Sequence, residues 1–426
     1  MEFAREKHVQ YFLYHLRSLP APYGSLDSSR MTVLYFVCSG LDVLGALDQI
    51  KPAKRAAIVE WVYAQQVVRA AGSDDVSRCG FRGSPYLGAA FGGCDDCSGG
   101  CAGASIDGAT SSAAQTKGSP PVHALDDAHI TMTYTALCIL KILGDPLVRF
   151  RRADTIAALR GLQEADGSFR SVRGGGERDM RFIFCAFAIS SMLGDWSGVD
   201  ADRAIAYVLR SQAYDGAFGL GPHGEGHGGS TYCAVACLAL ANRLDALDAE
   251  LGAGAEEMNS FGGIPLPVVG ASDAVAPSSA AASAGNSRRN ALLRWCAGRQ
   301  FGGFCGRPNK PADTCYSFWI GATLQMLGAY ETVAGARANA VSNRAFNLTC
   351  QGKVGGFSKV AGASADILHS YMGLCGLRLI GLDADAMPHA LNVSWGITQR
   401  ASSDNSASAA MATADSAASA AVAADL

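Results

Sequence analysis

Five apolar segments of one pattern recur along the chain at intervals of roughly fifty residues, and this repeat limits the possible architectures more than any other feature. They are "HITMTYTALCILKILG" from His129, "DMRFIFCAFAISSMLG" from Asp179, "GGSTYCAVACLALANRL" from Gly228, "DTCYSFWIGATLQMLG" from Asp313 and "DILHSYMGLCGLRLIG" from Asp366. Each starts on polar or capping residues, runs almost wholly apolar for about a dozen positions, and mostly stops at glycine, the signature of a buried helix. Between them a second element repeats: "LQEADGSF", "SQAYDGAF", "RQFGGF" and "CQGKVGGF", in which a glutamine and a glycine turn lead to Phe169, Phe218, Phe304 or Phe357. Amphipathic stretches such as "RADTIAALRGLQ" precede these turns, so the unit reads as outer helix, turn, inner helix.

Stacked helical pairs form an open solenoid or close into a ring. Inner helices this apolar favour closure, because an open concave face would leave them wet. The expected fold is therefore all-α, a closed toroid of helical hairpins. Successive inner helices then run parallel, and their N-termini gather at one rim whose dipoles attract anions. Residues 1–400 read as this one domain, interrupted by Gly/Ser/Ala-rich loops expected to be mobile at about 94–121 and 250–289. The stretch 401–426 reads as a low-complexity, disordered tail.

A formal net charge of -3 without a dominant basic face argues against nucleic acid, which is bound by neutralising phosphates. The charged N-terminal stretch is unlike a secretory signal and no apolar run is long enough to span a bilayer, so the expected location is the cytoplasm. In that compartment most of the 14 cysteines read as small buried hydrophobes, with one or two as ligands. "CDDCSGGC" offers Cys94, Cys97 and Cys101 but no fourth ligand nearby, and reads as loop composition.

The chemistry concentrates in "GRPNKPADTCYSFW", residues 306–319. Asp313 and Cys315 are two apart at the start of an inner helix, and His369 lies near the same end of the last one. Ring closure would bring one O, one S and one N donor together, a set that suits zinc with its fourth position open for catalysis. Arg307, Lys310, Tyr316 and, from "EGHGGSTY", His227 add four donors at the same dipole-positive rim and read as a diphosphate clamp. Below the rim, Phe36, Tyr134, Phe182, Tyr232, Trp319 and Tyr371 are candidate walls of an apolar funnel of the kind an isoprenoid diphosphate requires.

The segments "GRPNKPADTCYSFW", "HGGSTYC", "DMRFIFCAFAISSMLGDWSG", "HITMTYTAL", "CGFRGSPYLG" and "SSRMTVLYFVCSGLDVLGALD" resemble the beta subunits of protein prenyltransferases, most closely those of the type I geranylgeranyl-transferring class. The resemblance covers nearly the whole chain outside the loops and tail. It implies an alpha-alpha toroid with zinc on Asp313, Cys315 and His369. It further implies diphosphate binding by His227, with Gly228 and Gly229 beside it, and by Arg307, Lys310 and Tyr316, with Trp319 and Arg181 facing the cavity. The family works as a heterodimer with a helical-repeat alpha subunit, on geranylgeranyl diphosphate and the C-terminal CaaX peptides of small GTPases. Thr32 stands where farnesyl-transferring members carry Trp, which lengthens the cavity. Lys359 stands where they carry a magnesium-binding Asp, so magnesium is not expected to be required. His129, Thr131 and Phe182 match the place where the peptide's last residue docks, with Thr131 replacing the type I Ala. Farnesyl transfer, Rab-type geranylgeranyl transfer and an inert helical-repeat scaffold are the alternative readings. A terpene cyclase would need an acid-rich motif, and none is found.

Overall fold

The computed structural model describes residues 1–70, 72–85, 127–249 and 287–403. Within them the chain makes six helical hairpins, each an outer helix followed by an inner one. These are α1 (Arg5–His15) with α2 (Arg30–Val43), α3 (Pro52–Tyr63) with α4 (Ile130–Ile142), and α5 (Arg152–Arg160) with α6 (Met180–Leu193). They continue with α7 (Ala201–Arg210) and α8 (Gly228–Leu240), α9 (Arg288–Ala297) and α10 (Tyr316–Met326), and α11 (Arg337–Thr349) and α12 (Ile367–Ile380). Each inner helix packs on the next, and α12 packs back on α2, so the toroid closes.

The sixth inner helix, α2, lies outside the five repeats read from the sequence, although "MTVLYFVCSGLDVLG" has the same apolar run and glycine stop. The recurring Gln and Phe do the same work in each unit. Phe169, Phe218, Phe304 and Phe357 are fully buried, and each bridges back to the glutamine before its turn. Inner-helix hydroxyls then fix the turns: Phe81, Phe218 and Phe357 donate their backbone N–H to Thr133, Thr231 and Ser370 at 2.8–3.0 Å.

The first helix completes the ring. His8 is buried and stacked between Phe3 and Phe357, with ring centroids 5.0 and 4.5 Å away. Its Nδ1 accepts the Gly356 N–H at 3.0 Å, so Nε2 carries the proton and donates to Gln351 Oε1 at 2.9 Å.

The opposite end of the barrel from the inner-helix N-termini is sealed. Strands Leu391–Asn392 and Ile397–Thr398 pair antiparallel, and the tip between them receives four tyrosine hydroxyls. Tyr35 and Tyr371 donate to Gly396 O, Tyr134 to Trp395 O and Tyr232 to Val393 O, at 2.5–2.8 Å. Tyr134, Tyr232 and Tyr371 thus form a floor. Buried Asp42 holds this strap through Thr398 Oγ1 at 2.5 Å and Arg400 Nε at 2.7 Å.

The loop read at 94–121, the motif with Cys94, Cys97 and Cys101, and the tail beyond 403 lie outside the described residues. So does the loop read at 250–289 as far as residue 286; it ends earlier than expected, because Ser287 caps α9 through the Asn290 N–H and Arg288 and Arg289 already belong to that helix. The eleven described cysteines are all buried and free. No helix among the described residues is long and apolar enough to cross a membrane.

Candidate active site

Asp313, Cys315 and His369 meet at the rim, with one ligand atom from each lying within 4.8 Å of the others. Asp313 and Cys315 precede α10 directly, and Asp313 Oδ1 accepts the Cys315 N–H at 3.0 Å. His369 stands in the first turn of α12, the neighbouring inner helix, with Nε2 at 3.3 Å from Asp313 Oδ1.

The protonation states favour a cation at this point. Burial, then the neighbouring Asp313, pushes the Cys315 thiol well above its ordinary range. Burial opposes a charge on His369, but hydrogen bonds to the Asp313 and Asp366 carboxylates outweigh it and raise its pKa to about 9. Burial also opposes ionisation of Asp313, yet hydrogen bonds from His369 and Cys315 hold its carboxyl below the usual value. Two protons therefore occupy a pocket whose N, O and S donors suit a borderline-soft ion such as zinc, and such an ion would replace them.

Asp366 is a contributor that the reading of the sequence missed. Its Oδ1 caps α12 through the His369 N–H at 2.9 Å, and its Oδ2 takes the Nδ1–H at 2.6 Å. This fixes the tautomer that leaves Nε2 free as a ligand. An aspartate three residues before a histidine in "DILH", at a helix start, is the signal that could have identified it.

The residues read as a diphosphate clamp lie at the start of α8, in the α9–α10 connection and at the start of α10. His227 caps α8, its Nδ1 accepting the Gly229 N–H at 3.0 Å. Nε2 therefore carries the proton and donates to Tyr316 Oη at 2.8 Å, which leaves the Tyr316 hydroxyl proton to point elsewhere. Burial, then nearby Arg307, lowers the His227 pKa, so the ring is neutral near pH 7. The Tyr316 ring is threaded between two glycines. A Cβ on Gly306 would lie 2.0 Å from Tyr316 Cζ, and one on Gly228 would lie 2.8 Å from Tyr316 Cδ1. Gly306 O also accepts the Gly228 N–H at 2.9 Å, which joins the two motifs. Arg307 is held by Glu225 at 2.7 Å. Asn309 takes a positive φ of 60° within a turn in which the Arg307 carbonyl accepts the N–H of the exposed Lys310. From the last turn, Lys359 Nζ reaches to 3.7 Å from Asp313 Oδ2.

Across the ring stand the other predicted residues, on α4 and α6. His129 caps α4 through the Thr131 N–H at 3.1 Å and meets Phe182 edge-on at 5.9 Å. Burial lowers the pKa of His129. The Thr131 hydroxyl accepts the Cys185 S–H at 3.6 Å. Arg181 packs over Phe182 and is bound by Asp179 and Glu177, both at 2.6 Å, so it sits with this group.

Trp319 packs on Tyr232 at 4.8 Å, in the aromatic layer above the floor. Thr32 is half-buried one layer nearer the rim, its hydroxyl 3.5 Å from Met132 Sδ. Thr32 and Phe36 line a largely apolar cavity of about 1110 Å³ that runs from Asp366 out along Tyr14, Tyr23 and Leu26. The contribution of this α1–α2 connection has no repeat signature and was not legible in the sequence.

Residues 3–397 match the family described as the prenyltransferase alpha-alpha toroid domain. The geranylgeranyl transferase type-1 subunit beta of Arabidopsis thaliana is 34% identical over 385 residues, covering 89% of this chain and 85% of that protein. The subunit of the same name from Dictyostelium discoideum is 34% identical over 375 residues, 87% and 89% of the two chains. In architecture the chain is similar to protein geranylgeranyltransferase-I of Candida albicans complexed with GGPP. The TM-score is 0.70 at 20% identity, over 95% of this chain and 98% of that one.

Proposed function

The chain belongs to the prenyltransferase alpha-alpha toroid family, and on that footing we propose that it is the catalytic beta subunit of a type 1 protein geranylgeranyltransferase. It works in the cytoplasm as a heterodimer with a helical-repeat alpha subunit. One observation carries the reading: an Asp–Cys–His triad flanked by a set of cationic and neutral donors, at the rim of a closed ring of inner helices.

The reaction is S-alkylation of a cysteine in a C-terminal CaaX peptide. A C–S bond forms at the first carbon of geranylgeranyl diphosphate, the C–O bond to diphosphate breaks, and the thiol proton passes to solvent. Asp313, Cys315 and His369 would hold zinc, which when bound would supply the positive charge that keeps a substrate thiol ionised at neutral pH. His227 orients the Tyr316 hydroxyl, and Tyr316, Arg307, Lys310 and Lys359 stabilise the charge that develops on the leaving diphosphate. No nucleophile from the protein is needed. His129, Thr131 and Phe182 face the peptide's terminal residue from the far side of the ring.

Two side chains favour the twenty-carbon donor without magnesium over farnesyl transfer. Thr32 is small and leaves the cavity beside Phe36 open. The Lys359 ammonium, beside Asp313, supplies a fixed charge where a divalent ion would otherwise be needed. The test is co-expression with a prenyltransferase alpha subunit, then transfer of fifteen- and twenty-carbon donors to peptides that differ in their last residue, with and without magnesium. Preference for the twenty-carbon donor and a terminal Leu, unchanged by magnesium, is the expected outcome.

A further inference from the structure

Thr314 lies between two of the metal-ligand candidates, yet its hydrogen bonds run to the neighbouring repeat. It is fully buried. Its hydroxyl lies 2.6 Å from Ser358 O and 3.1 Å from Lys359 O, and its backbone N–H donates to Lys359 O at 3.0 Å. The side chain is also locked in place on its methyl side. A Cβ on Gly373 of α12 would lie 2.8 Å from Thr314 Cγ2 and 3.1 Å from Phe357, so the glycine makes room for this rotamer. Ser358 is held independently, its hydroxyl at 2.7 Å from Val360 O and 3.1 Å from Cys350 O. The backbone at Lys359 is thus stapled to the segment that carries Asp313 and Cys315. Its long side chain, 62% exposed, reaches over Asp313 from this fixed base. A lysine side chain has many rotamers to lose, so a fixed Cα narrows the region its ammonium samples.

We infer that Thr314 is a positioning residue: it clasps the Lys359 segment so that the ammonium stays over the Asp313–Cys315–His369 group and meets the substrate's diphosphate. The inference rests on the diphosphate-dependent reading above and adds to it a residue that touches neither substrate nor metal.

The test uses the zinc-loaded complex of this chain with its partner subunit and inorganic diphosphate as the probe, with affinity measured by calorimetry and zinc content by elemental analysis. Lys359→Ala should weaken diphosphate binding by more than about tenfold, and Thr314→Val by about tenfold, the worth of one charge-positioning hydrogen bond. Thr314→Ser keeps the donor and should stay within about threefold of the parent. Thr314→Ala, which needs no added volume, is the second donor-free variant should the valine form fail to fold. On the Lys359→Ala background, loss of the Thr314 hydroxyl should change nothing further, with zinc at one per chain throughout. An equal loss on that background, a loss of zinc, or unchanged affinity in both donor-free variants while Lys359→Ala binds weakly would overturn the clasp. If Lys359→Ala itself binds diphosphate normally, the reading of Lys359 fails and the inference falls with it.

Discussion

Asp366 Oδ2 and His369 Nδ1 lie 2.6 Å apart, and this contact decides which ring nitrogen of His369 faces Asp313 and Cys315. Because the carboxylate also raises the basicity of the imidazole, it acts on ligand strength as well as orientation. Asp366→Asn is therefore expected to weaken zinc binding by about 10–100-fold. Competition with a chelator measures this. Asp366→Ala should be worse, since it also removes the cap of α12.

Metal affinity is expected to rise steeply with pH. Without an ion, His369 keeps a proton up to about 9 and the Cys315 thiol holds its own well above its ordinary range, so at pH 7 both must leave when zinc binds. Between pH 6 and 8 the apparent affinity should climb by up to about a hundredfold per pH unit. Calorimetry in buffers of different ionisation enthalpy should count close to two released protons. Release of none would place the metal elsewhere.

Thr32 lines the apolar cavity beside Phe36. Thr32→Trp fills that space with an indole and should lower kcat/KM for the twenty-carbon donor by at least about tenfold relative to the fifteen-carbon one. Paired steady-state assays measure the ratio. An unchanged ratio would mean that the chain lies elsewhere.

Acid should loosen the ring at His8. Burial lowers its pKa from 6.5 to about 4, so the unfolded chain takes up a proton that the native state refuses. Stability is full above pH 6.5 and falls as pH drops through this window, by up to about 3 kcal/mol at pH 4 from this group alone. Unfolding measured from pH 7 to 4.5 should show close to one fewer proton taken up in His8→Gln than in the parent. Parallel slopes would show that His8 does not titrate on unfolding.

The toroid was legible because its repeat writes the same physics many times: an apolar run, a glycine stop, and a glutamine and phenylalanine around each turn. The metal triad was legible for a related reason. Equivalent positions of neighbouring inner helices meet at the rim, so ring closure places His369 beside Asp313 and Cys315 without any distance being known. What could not be read depends on contacts between distant, unrepeated segments. The strap at 393–396 meets Tyr35, Tyr134, Tyr232 and Tyr371 only in three dimensions, which turned candidate funnel walls into a floor. Glu225 on Arg307 and Thr314 on Lys359 are likewise pairings across repeats that no periodicity encodes.

The most direct measurement is zinc content and geranylgeranyl transfer on the same samples of the heterodimer, for the parent and for Asp313→Ala, Cys315→Ala and His369→Ala. One zinc per beta chain is expected in the parent, and loss of zinc together with a fall in transfer of at least about a hundredfold in each variant. Full transfer by a zinc-free Cys315→Ala complex would contradict a catalytic role for the Asp313–Cys315–His369 metal.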